Sequence, residues 1–245
     1  MFNGINYAIL ETTPTTQAQR NQHNEVNTKV QKLKDMVNEL NRLHTDNEPM
    51  FVHYRLDTRA RIEHFFAQAR AECGNTLALE ENITRERANL KYNSNRWLSN
   101  RPNTDDGYNF RGRGLLHLTF RDNYHACTRY LHNQGWLSSD IDFETQPQLV
   151  TDSGVYALLS AVWVWNTYRI NEQNLYNIAE NQDIIHAQYS FTKNRNGTGG
   201  TITLNNVSQN LRLITERING WYNNLAERQQ TYTRIKNAEI FKDFE

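Results

Sequence analysis

The chain has 245 residues, with 27 basic and 27 acidic side chains. This balance argues against a global electrostatic attraction to nucleic acid or to anionic membranes. No apolar run is long enough for a membrane-spanning helix, so we expect no membrane insertion. The length is sufficient to bury a substantial core.

The N-terminal region changes character near residue 23. Residues 1–22 are polar and are predicted to form a tail or an irregular cap. From Asn24 to Leu43, apolar residues recur at steps of three and four, which predicts an amphipathic helix. We expect this helix to pack on the same domain rather than to form a separate coiled-coil module. Residues 23–245 are accordingly predicted to form a single domain.

The remaining elements are mostly helices, so the predicted fold class is mostly α with a small β element. A glycine-rich stretch at 194–200 predicts a loop, and the best strand signal follows it at 201–204. The predicted helices cover residues 59–71, 122–132, 152–168, 207–218 and 225–238.

The segment RGRGLLHLTFRDNY at 111–124 is the most informative part of the chain. Gly112 and Gly114 allow the backbone to bend or to approach a ligand closely. The pattern GRGL-x-x-LT-x-R-x-NY resembles the core motif of glycoside hydrolase family 19, which includes chitinases and phage endolysins. Further blocks similar to the family occur in the same order at 61–82, 152–165 and 214–232. The resemblance implies a lysozyme-like helical domain with an active-site cleft between two lobes.

Hydrolysis of a glycosidic bond requires a carboxyl group that donates a proton and a second, ionised carboxylate. The resemblance implies that Glu72 is the acid. Its apolar neighbours near the end of a predicted helix are expected to raise its pKa. Ala71 and Cys73 stand where the family usually has histidine and serine.

The second carboxylate is Glu80 or Glu81. We favour Glu81, because an extended segment would place it on the same face as Leu77 and Leu79. In the family, this base activates a water on the opposite side of the sugar and the anomeric configuration is inverted. Separations of roughly 6.5–9.5 Å between the two carboxyl groups mark that geometry.

The resemblance also implies roles for residues around this pair. Thr119 matches a hydroxyl that orients the attacking water, since a hydroxyl both donates and accepts hydrogen bonds. His117 replaces a common glutamine and is expected to line the site as a hydrogen-bonding residue that adds a pH dependence. Arg111 or Arg113 is expected to pair with a glutamate, although Arg113 is about as well explained by buried carbonyls. The other matched substrate-site residues are Asn123, Tyr124, Asn219, Trp221 and Arg228.

Of these, Trp221 replaces a glycine and would narrow the groove or stack on a sugar. Tyr124 has a simpler alternative, which is to fill the core.

No metal or other cofactor is expected. The eight histidines are dispersed and no H-E-x-x-H spacing occurs. The two cysteines, Cys73 and Cys127, are expected to be free buried thiols. A disulfide between them is the alternative.

We therefore expect an enzyme that cuts β-1,4 bonds in the glycan strands of bacterial peptidoglycan. A chitinase is the nearer alternative, and a non-catalytic protein that binds cell-wall glycan is an alternative of another class. The N-terminus lacks the features of a secretory signal, so we expect synthesis in the cytoplasm and action at the cell wall after delivery or lysis. The expected settings are a phage endolysin or a secreted antibacterial effector with an immunity protein and delivery machinery as partners.

Overall fold

The structure is a computed structural model that describes residues 2, 4–93 and 100–244. These residues are mostly helical with small antiparallel β elements, which confirms the predicted fold class. The helices are α1 (Gln17–Asn41), α2 (Met50–His53), α3 (Arg59–Cys73), α4 (Arg85–Tyr92), α5 (Asp106–Asn109), α6 (Arg121–Asn133), α7 (Leu149–Asp152), α8 (Gly154–Thr167), α9 (Leu175–Glu180), α10 (Gln209–Asn219) and α11 (Leu225–Asn237). The strands are β1 (Arg169–Ile170), β2 (Gln173–Asn174), β3 (Ile185–Thr192) and β4 (Thr201–Ser208).

The chain divides into two compact units. Unit 1 consists of Met1–Arg42 and Glu72–Trp163, and unit 2 consists of Leu43–Ala71 and Val164–Glu245. Within the described ranges, none of the helices combines the length and the apolar character needed to cross a membrane.

In unit 1, α1 begins at Gln17 rather than at the predicted Asn24. The Thr16 hydroxyl accepts a hydrogen bond from the Gln19 amide, and the Gln19 side chain accepts one from the Thr16 amide. This reciprocal capping satisfies free amides of the first turn and starts the helix ahead of its apolar stripe. Residues 17–22 therefore belong to α1 and not to an irregular tail.

The helix α1 packs on the start of α8 within the same unit. A Cβ atom on Gly154 would collide with the backbone carbonyl of Lys32. The Lys32 ammonium also donates to the carbonyl of Thr151 at 2.5 Å. Only glycine allows this close approach, and the contact holds α1 against the unit as expected.

The Arg-Gly segment lies against the apolar helix α8. The Leu115 amide donates to the Ala157 carbonyl at 3.2 Å. Gly114 has φ of +81°, and a Cβ there would collide with the Ser160 hydroxyl. Two independent features, the left-handed backbone and the contact with α8, thus require glycine at this point of the motif.

Three short extended pieces of unit 1 pair next to this segment. Arg113 pairs in antiparallel fashion with Glu80 on one side and with Leu118 on the other. The Glu81 amide donates to the Gly112 carbonyl at 2.9 Å, and the Gly114 amide donates to Leu79 at 2.8 Å. This small β element fixes both candidate base residues against the Arg-Gly segment.

Unit 2 contains the longer hairpin. The predicted strand at 201–204 is confirmed and extends to Ser208, where it pairs with β3, a strand that the sequence did not predict. The helix predicted from 207 begins at Gln209 because the Ser208 hydroxyl accepts from the Leu211 amide and caps it.

Both cysteines lie in unit 1, and both are buried thiols that form no disulfide. This confirms the expectation of two separate thiols. Burial raises the pKa of the Cys127 thiol well above its usual value.

Candidate active site

Glu72 is the penultimate residue of α3, between the buried residues Ala71 and Cys73. Its side chain is only 12% exposed. The Cys73 thiol donates to the carbonyl of Leu115 at 3.4 Å, which ties this end of α3 to the Arg-Gly segment. The structure therefore places the proposed acid in a largely buried position beside the motif.

The imidazole of His117 faces Glu72. Its Nδ1 lies 3.8 Å from Oε2 of Glu72, and its Nε2 lies 3.1 Å from the carbonyl oxygen of Ala78. A carbonyl only accepts hydrogen bonds, so Nε2 must carry a proton, and in the neutral ring Nδ1 is left as an acceptor. His117 also has φ of +48°, a left-handed conformation that is uncommon outside glycine and frequent at functional sites.

Glu81 is held by three donors on the other side of the motif. The Tyr92 hydroxyl donates at 2.6 Å, the Lys91 ammonium at 2.9 Å and the Gly112 amide at 3.5 Å. Burial raises the pKa of Glu81, but the hydrogen bonds from Tyr92 and Lys91 lower it by more, so it lies below its ordinary value. Burial and the bond to Glu81 raise the pKa of Tyr92 to about 12.

Glu81 is consequently ionised at neutral pH, as a general base must be. Lys91 and Tyr92, whose hydrogen bonds help to keep Glu81 ionised, were not predicted from the sequence. The available signal was Thr84, which caps α4 by accepting from the Arg87 amide and so marks the start of the helix that carries them.

Glu80 has a different set of partners. Its Oε1 accepts from Arg111 and Arg113, each at 2.7 Å, and both guanidinium groups are buried. Glu80 itself is 40% exposed and lines a cavity with Lys29 and Lys32 of α1. Adjacent residues of an extended segment point to opposite faces, so the neighbouring carboxylates cannot share one site.

Gly112 is the point where the remaining candidates meet. Its amide faces Glu81, and a Cβ atom on it would lie 3.0 Å from Cβ of His117 and 3.4 Å from Oγ1 of Thr119. His117 in turn faces Glu72. The structure thus brings His117, Thr119 and Glu81 together around Gly112, and it places Glu72 next to His117.

The hydroxyl proton of Thr119 is already used in a hydrogen bond to the backbone. Its hydroxyl donates to the His117 carbonyl at 2.7 Å, which leaves the oxygen lone pairs to accept from a ligand. Asn123, which is partly exposed, donates to the Thr119 carbonyl at 2.8 Å and fixes the end of this turn.

Tyr124 and Arg113 were expected at the substrate, but both are buried. The Tyr124 hydroxyl donates to the Arg111 carbonyl at 2.8 Å, and burial raises its pKa. Arg113 donates to Tyr124, to the Asn109 carbonyl and to Glu80. Neither side chain is placed to contact a sugar, and both instead support the backbone that carries Gly112.

The three candidates of unit 2 form their own contacts. Arg228 is completely buried and donates to Gln68 at 2.5 Å, so it supports the core of that unit rather than contacting substrate. The Trp221 indole donates to the Thr192 carbonyl of the hairpin at 2.9 Å. Asn219, at the end of α10, is partly exposed.

Solved structures with some likeness to the chain are chitinases. Chitinase C from Streptomyces griseus has a TM-score of 0.48 and 15% identity, over 84% of this chain and 67% of that one. The class IV family 19 chitinase from Zea mays has a TM-score of 0.43 and 16% identity, over 95% and 87% of the two chains.

No family model matches the chain. A glycosyl hydrolase family 19 domain-containing protein from Haemophilus influenzae is 36% identical over 69 residues, which is 28% of this chain. The chain spans about 30% of the length of that curated relative. This match supports the resemblance of the chain to glycoside hydrolase family 19.

Proposed function

We propose that the chain is a glycoside hydrolase that cuts β-1,4 bonds in peptidoglycan by an inverting mechanism. The observation that carries this proposal is the pair of carboxyl groups beside the Arg-Gly segment. Glu72 is largely buried next to His117, and Glu81 is kept ionised by its donors. Glycoside hydrolysis by acid and base catalysis requires one carboxyl group that donates a proton and a second that is ionised.

In the proposed reaction, Glu72 gives its proton to the oxygen of the leaving sugar as the bond from that oxygen to the anomeric carbon breaks. The imidazole of His117 lies beside this carboxyl group, with Nδ1 3.8 Å from Oε2 of Glu72. His117 is therefore a positioning residue beside the proposed acid.

The water that attacks the anomeric carbon is held by two acceptors. Glu81 takes one of its hydrogens and becomes protonated, while Oγ1 of Thr119 accepts the other. Since the Thr119 proton is bound to the His117 carbonyl, the threonine can act only as an acceptor towards this water. A lone pair of the water is then free to attack on the face opposite the leaving group, which inverts the anomeric carbon.

Peptidoglycan and chitin share β-1,4-linked, N-acetylated amino sugars, so the substrate is decided by digestion of both. We expect mass spectrometry of digested sacculi to show soluble fragments with new reducing sugar ends. Cleavage of chitin oligomers with intact sacculi would assign the substrate to chitin. Binding to either polymer without products, or cut peptide stems with intact glycan, would refute the proposed hydrolase.

The biological setting follows from this substrate. We propose that the chain acts on the cell wall as an endolysin or as an antibacterial effector. It would reach the cell wall after lysis in the first case and after delivery in the second. An effector of this kind requires an immunity protein in the producing cell, and a pull-down with the product of a neighbouring gene tests that arrangement.

The donors to Glu81 set the acidic limb of the pH profile. Removing the hydroxyl in Tyr92→Phe, or the ammonium in Lys91→Met, takes away a bond that favours the ionised carboxylate, so the pKa of Glu81 rises. Because Glu81 must be ionised to act, we expect the acidic limb of kcat/KM to move to higher pH in both variants. Activity at neutral pH should change little.

Lys29→Met is the matched control, because this lysine pairs with Glu25 and not with Glu81. An unmoved acidic limb in both Tyr92→Phe and Lys91→Met would contradict the assignment of Glu81 as the base.

A further inference from the structure

A cluster in unit 2 takes no part in the proposed hydrolysis. His44 and Asp46 lie on the loop before α2, and His53 is the last residue of that helix. All three belong to unit 2, and the side chain of Asp46 is exposed while those of the two histidines are partly exposed. We infer that these residues form a binding site for a divalent transition-metal ion such as Zn²⁺, although the dispersed histidines had predicted none.

The spacing of the ligand atoms supports this inference. Oδ1 of Asp46 lies 3.4 Å from Nδ1 of His44 and 3.2 Å from Nε2 of His53. All three atoms lie within 4.8 Å of one another. Ligands about 2.0–2.2 Å from a tetrahedral Zn²⁺ are roughly 3.3–3.6 Å apart. The two distances to Asp46 are therefore close to those around a bound ion.

The backbone of the loop holds the ligands in place. Leu43 pairs with Pro49, and the His44 amide donates to the Glu48 carbonyl at 2.8 Å, which closes the loop. The Glu48 amide donates to Oδ1 of Asp46 at 3.0 Å and orients the carboxylate. Such outer hydrogen bonds fix the direction of a ligand and contribute to metal affinity.

The chemistry of the ligands selects the class of ion. Two imidazoles and one carboxylate suit Zn²⁺, Cu²⁺ or Ni²⁺, whereas Mg²⁺ and Ca²⁺ prefer oxygen ligands alone. The exposed side of the cluster leaves room for a water as fourth ligand.

Another histidine that lies beside a carboxylate provides a contrast. His125 lies 2.6 Å from Glu144, but the guanidinium of Arg121 binds the same carboxylate at 2.8 Å. A fixed cation at that place repels a metal ion. His125 is therefore a matched control for a histidine beside a carboxylate that should not bind metal.

The test uses the full chain without a histidine tag, freed of metal and titrated with Zn²⁺ by calorimetry. We expect one ion per chain and a higher Tm in its presence, because an ion that binds only the folded state stabilises it. Asp46→Asn and His53→Ala should each weaken binding by at least about tenfold, since even changes outside the ligand shell have that effect. His125→Ala should bind Zn²⁺ as the parent does.

Co²⁺ supplies a readout that does not depend on stability. We expect visible absorption bands of a four-coordinate Co²⁺ in the parent and their loss in Asp46→Asn, a variant that keeps the shape of the side chain. No Zn²⁺ binding by the parent, equal binding by Asp46→Asn, or equal competition by Mg²⁺ would each overturn the site. None of these results depends on glycan cleavage, so the inference stands or fails separately from the proposed hydrolase.

Discussion

Replacing Glu72 by glutamine is expected to reduce kcat on the natural glycan by on the order of 10²–10⁴-fold, the range that a general acid contributes. Glutamine keeps the size of the side chain but has no acidic proton to give to the leaving oxygen. Because the side chain is only 12% exposed and its shape is unchanged, KM and Tm should change little. Steady-state kinetics and thermal unfolding of the purified variant measure both.

The nature of the leaving group shows whether the lost function is proton donation. An aryl glycoside with an acidic phenol as leaving group needs little protonation, so Glu72→Gln should recover most of its activity on it. Glu86→Gln, which changes an exposed carboxylate in the first turn of α4, is the matched control and should behave as the parent. Parental activity of Glu72→Gln on the natural glycan would show that Glu72 is not the acid.

Glu81→Gln is expected to cause a loss of similar size, on the order of 10²–10⁴-fold. The loss of activity should be the same for natural glycans and aryl glycosides. The reason is that an amide cannot accept the proton of the attacking water, whatever the leaving group is. The hydrogen bonds from Tyr92 and Gly112 can still reach the amide oxygen, so the fold should be retained. Kinetics on both classes of substrate separate this variant from Glu72→Gln.

Its neighbour should behave in the opposite way. Glu80→Gln removes the shared negative charge between the buried guanidinium groups of Arg111 and Arg113, which costs stability. The 40% exposure of Glu80 moderates that cost, since water reaches the pair. We expect a lower Tm with most of the activity per folded molecule retained. Loss of activity in Glu80→Gln with retention in Glu81→Gln would transfer the role of base to Glu80.

The sequence was informative where a motif and local alternation coincide. The motif placed Glu72 near the end of a helix, and period-two alternation separated Glu80 from Glu81. It could not reveal that Lys91 and Tyr92 bind the base, because α4 is short and polar and has no apolar stripe to mark it. Long-range hydrogen bonds of this kind depend on packing rather than on a local pattern.

A motif also does not distinguish residues that touch a substrate from residues that support the backbone. Tyr124 and Arg113 match the family pattern as well as Thr119 does, yet both are buried. The cluster of His44, Asp46 and His53 escaped detection for a related reason. It depends on a tight loop in which Asn47 has φ of +65°, and no helical or strand spacing describes that turn.

The fold was predicted best where apolar periodicity is strong. The ends of elements were less accurate, because side-chain caps rather than apolar residues determine them. Thr16 and Ser208 set the starts of α1 and α10, and both helix starts differ from the predicted ones. The strand β3 was missed because none of its residues is fully buried and its partly buried residues do not alternate regularly with exposed ones.

The most direct test of two carboxyl groups acting on opposite sides of one sugar is the configuration of the first product. Proton NMR during early hydrolysis of the glycan that is cut should show the new reducing end in the α configuration before it equilibrates. That result is expected because water held by Glu81 and Thr119 attacks opposite the leaving group that Glu72 protonates. An initial β product would contradict the account, since retention requires an intermediate bonded at the anomeric carbon, through a carboxylate or through the acetamido oxygen of the sugar.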